Sequence, residues 1–331
     1  MTITEAAGGA ARPAGPLARP TELEIRPRYE GSNICTWIGF KHVNYMVEEA
    51  VLEHLRRRGA PAGELYERYG LCVDIADIDT RILHAFHIDD LAVAEVAPLE
   101  RAADDELAFA VRLHRRADPG NLAVSAKVRV VLRHDPHGFA AEDVPAHLAP
   151  FAAAGAGLPA PRETPAVPVG DGDPVAALGG GDSFVWKWPM PYFYCHFTER
   201  VQMSGYLRLM EEVVDLFLAD RGVSIKRLLD EQDWIPVVPH SRITLLDEAR
   251  MEEDLYTVFT VENVFKRFTY TARMDCYVLR DGVLTPTATG HITHGYAVIE
   301  NRRDWSLVTF DDRLTGALAG TGGQGHGTGR G

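Results

Sequence analysis

The sequence predicts an α+β protein built from two similar units, and three observations carry that reading. First, 331 residues that are 46% hydrophobic and 24% charged supply enough apolar side chain for one large or two medium cores. Second, short motifs repeat at a nearly constant spacing. Arg58-Gly59 and Arg221-Gly222 lie 163 positions apart (221 − 58), as do Glu48-Glu49 and Glu211-Glu212, and Leu65 and Leu228. Later the spacing becomes 164, pairing Asp90-Leu91 with Asp254-Leu255 and Val128 with Ile292. A duplicated domain shows this slip after one small insertion. Third, each half runs through the same order: an extended segment, one long helix, a short helix or turn, then three or four strands.

Residues 1–20 lack the continuous apolar stretch of a secretory signal and are predicted to be disordered. The first unit spans residues 21–135, with an extended segment at Glu22–Arg28, a helix over about Tyr45–Arg58 and a turn near Leu65. Its predicted strands are Ile82–Phe86, Leu91–Val96, Leu107–Leu113 and Leu122–Leu132. Residues 136–182 turn to Ala, Pro and Gly and read as a linker, because prolines deny them helix and sheet continuity. The second unit, residues 183–312, opens with Phe184–Phe197 and a helix over about Tyr206–Arg221. Tyr206, Met210, Val213, Val214 and Phe217 share one helical face, and Gly222 is placed to close the helix. A short helix near Leu228 and strands at Ile243–Glu248, Leu255–Glu262, Phe268–Leu279 and Thr287–Ile299 follow, with Asp281-Gly282 as hairpin-turn chemistry. The Gly-rich tail, residues 313–331, has little to bury and is predicted to be disordered. One long helix ahead of an antiparallel meander implies a helix wrapped by a curled sheet. Leu207, Leu209, Leu216 and Leu218 on the helix flanks fit that burial.

Charge and motifs narrow the function. The formal net charge of −13 argues against counterion-displacing nucleic-acid binding and against an anionic membrane surface. No run approaches the roughly 18 apolar residues of a membrane span. Four cysteines (Cys35, Cys72, Cys195, Cys276) form no CxxC and read as reduced structural thiols of a cytoplasmic protein. There is no GxSxG elbow, phosphate loop or GxGxxG. His291 and His294, like His84 and His87, sit three apart on predicted strands and so face opposite ways. Neither a metal nor a cofactor is expected.

The stretch YLRLMEEVVDLFLADRG (Tyr206 to Gly222), the strand series EDLYTVFTVENVFKRFTYTARMDCYVLRDG and the final ATGHITHGYAVIE resemble the hotdog fold, and within it the 4-hydroxybenzoyl-CoA thioesterase-like acyl thioesterases. The likeness covers about Phe184 to Glu300 and, more weakly, about Glu22 to Asp135, where HVNY (His42 to Tyr45) echoes the loop-to-helix segment. The loop HFTERVQMSGYLRLME also resembles the β-hydroxyacyl-ACP dehydratases at His196, Phe197, Arg200, Met203, Gly205 and Leu207. Val201 and Ser204 stand where that family has prolines, and its helical acid falls on Met210 rather than Glu211. The resemblance implies a double hotdog, a site where the two units pair, and an acyl thioester of CoA or a carrier protein as substrate. A homodimer of such chains is compatible with it.

Thioester hydrolysis needs a carboxylate or equivalent to attack the carbonyl or activate water, and unpaired N–H groups at a helix start to hold the oxyanion. Candidate catalytic residues are Glu199 in the loop before the second long helix, Glu48 and Glu211 at matching helical positions, and His196 as base or orienter. His42, Asn44, Tyr45, Gln202, Gly205 and Tyr206 are the candidate substrate contacts. Cys35 and Cys195 occupy similar places, as small buried fillers rather than nucleophiles. Lys41, Arg56 to Arg58, Lys266 and Arg267 are pieces from which a basic patch for an anionic carrier could be made. The expected activity is acyl-thioester hydrolysis. Dehydration of a 3-hydroxyacyl thioester by His196, or acyl binding without catalysis, are the alternatives.

Overall fold

The computed structural model describes residues 16–99, 107–138, 140–153, 158, 164–300 and 305–320. In chain order the first half holds β1 (Thr21–Ile25), α1 (Phe40–Arg57), α2 (Ala62–Tyr69), β2 (Leu71–Ile82), β3 (Ala92–Pro98), β4 (Leu107–Arg115) and β5 (Asp118–His134). Three short pieces follow: β6 (Ala152–Ala153), β7 (Val167–Pro168) and α3 (Pro174–Leu178). The second half holds β8 (Phe184–Pro189), α4 (Met203–Asp220), α5 (Ile225–Gln232), β9 (Trp234–Leu245), β10 (Asp254–Phe265), β11 (Thr269–Arg280) and β12 (Val283–Ile299). The chain closes with β13 (Trp305–Leu307) and α6 (Asp312–Leu318).

The repeat spacing is a structural equivalence. Helices α1 and α4, α2 and α5, and strands β2 and β9 start and end 163 positions apart (203 against 40, 225 against 62, 234 against 71). Both long helices end the same way. Gly59 and Gly222 take φ of +81° and +73°, and the N–H groups of Ala60 and Val223 reach back to the carbonyls of Leu55 and Leu218 at 2.9 Å each. These are matched Schellman turns, in which glycine relieves the left-handed strain.

One antiparallel sheet runs β1-β3-β4-β5-β2-β9-β12-β11-β10-β8, with β13, β6 and β7 attached to its flanks. The halves therefore join edge to edge where β2 pairs with β9. Asp79 opposes Arg242 in that register, and these two residues occupy equivalent positions (242 against 79), so a pseudo-twofold axis passes between them. On the helix side of this seam Asn44, fully buried, accepts from the Thr80 hydroxyl at 2.7 Å and donates to Ser241 at 3.3 Å and to the Phe40 carbonyl at 2.9 Å. On the opposite side Asp79 meets His240 at 2.8 Å and Asp77 meets Arg242 at 3.0 Å. The helices lie against the sheet with apolar faces. Val43, Val47, Ala50 and Val51 of α1 are fully buried, as are Leu207, Leu209, Met210 and Val213 of α4. Phe217 sits between Phe184 and Phe259, with ring centroids 6.3 and 5.1 Å away. No described helix is long and apolar enough to cross a membrane.

Several expectations need correcting. Helix α1 starts at Phe40 and α4 at Met203 rather than at Tyr45 and Tyr206. Buried Phe40 and Met203 extend each apolar face back by one turn, and Gly39 and Gln202 give no capping side-chain bond to mark the start. The strand expected at Ile82–Phe86 is really β2, over Leu71–Ile82. Its acids Asp74, Asp77 and Asp79 disguise it, yet each has a basic partner. Strand β9 likewise starts at Trp234 rather than Ile243, hidden by Pro236 and Pro239. The linker is pinned to the sheet, β6 on β5 and β7 on β12. Residues 312–318, within or next to the expected tail, form α6, capped by Asp311 and burying Leu314 and Leu318. At the other end Leu17 is buried, and its carbonyl accepts from His54 at 3.3 Å. The rest of both expected disordered ends, residues 1–15 and 321–331, lies outside the described residues.

Candidate active site

Two clefts lie where the long helices and the opposite unit meet, and the 163-residue offset relates them wall by wall. The first, about 150 Å³, is bounded by Glu48 and Leu52 of α1, Ala62, Val73, Ile75, and the α4 approach with His196, Phe197, Gln202 and Met203. The second, about 270 Å³, presents the counterparts: Glu211 for Glu48, Asp215 for Leu52, Ile225 for Ala62, Pro236 for Val73, Val238 for Ile75, Asn33 for His196, Gly39 for Gln202 and Phe40 for Met203. Each cleft thus sets the mid-helix glutamate of one unit beside the start of the long helix of the other.

The two glutamates differ in electrostatics. Glu48 has one carboxylate oxygen buried without a hydrogen-bond partner, and no ion pair among the described residues reaches it. Burial, with Glu49 adding to it, pushes its carboxyl up to about 7. Glu211 is paired with the Lys41 ammonium. Position 41 corresponds to Ser204 in the second unit, which has no charge to offer Glu48.

The helix starts are primed for an acceptor. Neither Gly39 nor Gln202 caps its helix with a side-chain bond, whereas Ser224 and Asp311 cap α5 and α6. Gln202 spends its amide on the Thr198 hydroxyl at 3.1 Å instead. The first N–H groups of α4 have no acceptor from a capping side chain, and they lie at the positive end of the helix dipole. His196 stands at the mouth, its Nε2 2.7 Å from the Ser204 hydroxyl. Partial desolvation of the ring and the nearby Arg208 charge hold its pKa below the ordinary imidazole range. The approach loop is held tightly. A Cβ on Gly205 would lie 2.7 Å from the Tyr194 carbonyl oxygen and 2.9 Å from Val201 Cγ1. Gly205→Ala is expected to lower stability by about 1–3 kcal/mol and to displace the loop. Urea unfolding checks the first effect, and a raised KM with folded protein checks the second.

The sequence-derived candidates separate into groups. Glu48, His196 and Gln202 share the first cleft, and Glu211 belongs to the second. Glu199 lines neither. Its carbonyl accepts from Met251 N–H at 2.9 Å and its carboxylate lies 3.5 Å from Arg250 at the surface. Asn44 is consumed by the seam network. Tyr45 donates to the Ser204 carbonyl at 3.2 Å, tying α1 to α4, and burial pushes its phenol up to about 12. His42 lies against Glu30 at 3.5 Å and edge-on to Tyr45. Tyr206 is a core ring, 1% exposed. Cys195 corresponds to Ser32 rather than Cys35, since Cys195 bridges Val201 as Ser32 bridges Ile38. Burial pushes the Cys195 thiol up to about 11, far from a reactive thiolate. Of the expected pieces of a basic patch, Lys41, Arg56, Arg57 and Arg267 pair with Glu211, Glu53, Glu53 and Asp312, Arg58 bonds the Pro20 carbonyl, and Lys266 lies over the Phe265 ring. Among the described residues no cluster of three or more His, Cys, Asp or Glu could hold a metal.

Asp215 and His294 also line the second cleft, although the sequence singles out neither as a site residue; Asp215 sits one turn after Glu211, at the i, i+4 spacing. Its carboxyl opens into the second cleft, whose walls displace enough water to push it up to about 6, with Glu211 and Glu212 adding to the effect.

Residues 170–318 match the thioesterase-like superfamily. No curated protein matches the sequence significantly. Among solved structures, a protein of Lactobacillus plantarum described as an oleoyl thioesterase superposes with a TM-score of 0.57 at 9% identity, covering 86% of this chain and 98% of that one. The 12:0-ACP thioesterase of Umbellularia californica gives 0.54 at 10% identity, covering 83% and 93%. An acyl-ACP thioesterase of Bacteroides thetaiotaomicron gives 0.52 at 9% identity, covering 83% and 97%. At such identities the likeness establishes a shared fold.

Proposed function

We propose that this chain, whose residues 170–318 carry a thioesterase-like superfamily domain, is an acyl-thioester hydrolase of double-hotdog architecture. One observation carries the reading: the unpaired, desolvated Glu48 carboxylate faces an uncapped helix start from the other unit. In this cleft the thioester carbonyl accepts from the first N–H groups of α4, which are oriented before the reaction and favour the developing oxyanion. Glu48 takes a proton from water as the water oxygen bonds to the carbonyl carbon. The C–S bond then breaks, and the leaving thiolate receives that proton. A carboxyl near 7 suits the exchange, since a base poised at the working pH both accepts and returns a proton. His196 holds the Ser204 hydroxyl beside the same helix start. CoA or a carrier protein presents the acyl group in this reading, as the names of the superposed enzymes suggest for the carrier protein.

Because His196 and Glu48 share the cleft, a dehydratase is the second reading. A single assay separates them: purified protein is offered acyl-CoA and acyl-carrier-protein thioesters of several chain lengths, aryl thioesters and a 3-hydroxyacyl thioester. Hydrolysis releases free thiol, and that is the expected outcome. Water loss with the thioester intact would favour the dehydratase. No turnover of either kind would sink both and leave an acyl-binding protein.

A further inference from the structure

The second cleft keeps the layout of the first, a mid-helix glutamate beside the start of the other unit's long helix, with Asn33 in place of His196 and Asp215 in place of Leu52. The start of α1, like that of α4, is uncapped, and Gly39 and Phe40 bring it to the cleft wall. The walls are mainly apolar, and the volume, about 270 Å³, exceeds the 150 Å³ of the Glu48 cleft. His294 lines the cleft at 4% exposure, with neither ring nitrogen hydrogen-bonded to protein. Its ring stacks on Tyr270 at 5.2 Å and 14°. A buried polar side chain left without a partner marks a place that a ligand can complete. Asp215 adds a second carboxyl to this cleft, one turn after Glu211, and the shared mid-helix glutamate differs in its pairing. Glu211 is held by the Lys41 ammonium, so the carboxylate oxygen that would take a proton from water is already engaged, whereas the buried Glu48 oxygen has no such partner.

We propose that the Glu211 cleft is a second acyl-thioester site that binds its ligand without turning it over, and that the Lys41–Glu211 ion pair is what silences it. The inference rests on the hydrolytic reading of the chain but assigns a ligand class and a residue role which that reading leaves out. Lys41 acts here through Glu211, as a positioning residue that withholds the base. The ligand's carbonyl meets the N–H groups at the start of α1, and its acyl part lies along the apolar walls. The step withheld is the one described above, water adding to the carbonyl and thiol leaving.

Two measurements on the full chain test this. The first is calorimetric titration with 2-oxododecyl-CoA, a thioether analogue that cannot be hydrolysed. Two sites per chain are expected, falling to one in Val238→Trp, which fills the second cleft; the remaining site reports that the variant is folded. Saturation at one site in the unaltered chain would overturn the proposal. The second is thiol release by Glu48→Gln with and without Lys41→Ser, the residue found at the equivalent position. Adding Lys41→Ser is expected to raise the rate at least tenfold, and a further Glu211→Gln to remove the gain. No gain in a chain that still binds the analogue, or a gain that survives Glu211→Gln, would overturn it as well. If Glu48→Gln alone retains the full wild-type rate, the assignment of hydrolysis to the first cleft fails, and the titration still decides whether the second cleft binds.

Discussion

Glu48→Gln is expected to lower kcat for thioester hydrolysis by about 10²–10⁴-fold, with KM changed little, because the amide keeps the shape of the cleft and loses the proton acceptor. The same group sets the pH profile. Only the ionised carboxylate can take a proton from water, so the wild-type rate should climb with pH and level off above about 7. Linkage supplies a control. The folded-state pKa of Glu48 is raised above its ordinary value of 4.5, so the folded chain binds more protons than the unfolded chain between those values. Stability therefore falls as pH rises through that window. Glu48→Gln, which never ionises, should escape that loss and melt no lower than wild type at pH 8. An inactive variant of undiminished Tm would place the loss in the chemistry. A rate within about threefold of wild type would remove Glu48 from the mechanism.

Much of this arrangement could be read from the sequence, for a definite physical reason. Helix ends and mid-helix acids are local: Gly59 and Gly222 mark matched helix ends, and Glu48 and Glu211 keep their register because one inserted residue inside a helix would rotate every later side chain by about 100°. What stayed hidden depends on distant partners. Strand β2 carries three aspartates that a strand would not tolerate unpaired, and their basic partners Arg200, His240 and Arg242 come from the other unit. Glu199 looked well placed in sequence, yet the loop aims it at Arg250. Asn44 had the profile of a substrate contact and instead spends its amide on Thr80 and Ser241. The contrast between Glu48 and Glu211 was equally invisible, because Lys41 lies 170 positions from Glu211 along the chain.

Asp74→Ala is expected to be the most destabilising single change, by about 3–5 kcal/mol, because it leaves buried guanidinium groups without their shared anion. Asp74 is 2% exposed, and one of its oxygens receives Arg133 at 3.2 Å and Arg200 at 3.0 Å. Glu248 closes the group by pairing with Arg133. Arg250 also holds Glu248, at 2.9 Å from the more exposed side, so Asp74 is the one acid shared by the two buried guanidinium groups at its own oxygen. The network also has a functional reach. Asp74 belongs to β2 of the first unit, between Val73 and Ile75, which line the Glu48 cleft. Arg200 belongs to the loop of the second unit that carries His196 and Gln202. The ion pair therefore fixes one wall of the cleft against the other, across the seam. Asp74→Ala should lower the urea midpoint sharply and, under conditions where the variant is still folded, lower kcat/KM with the pH dependence of the rate unchanged. Replacing the buried members together, Asp74→Leu with Arg133→Met and Arg200→Met, removes the uncompensated charges and should recover much of the stability. Recovered stability with activity still depressed would assign the network to positioning the loop. A wild-type urea midpoint for Asp74→Ala would show that it holds nothing.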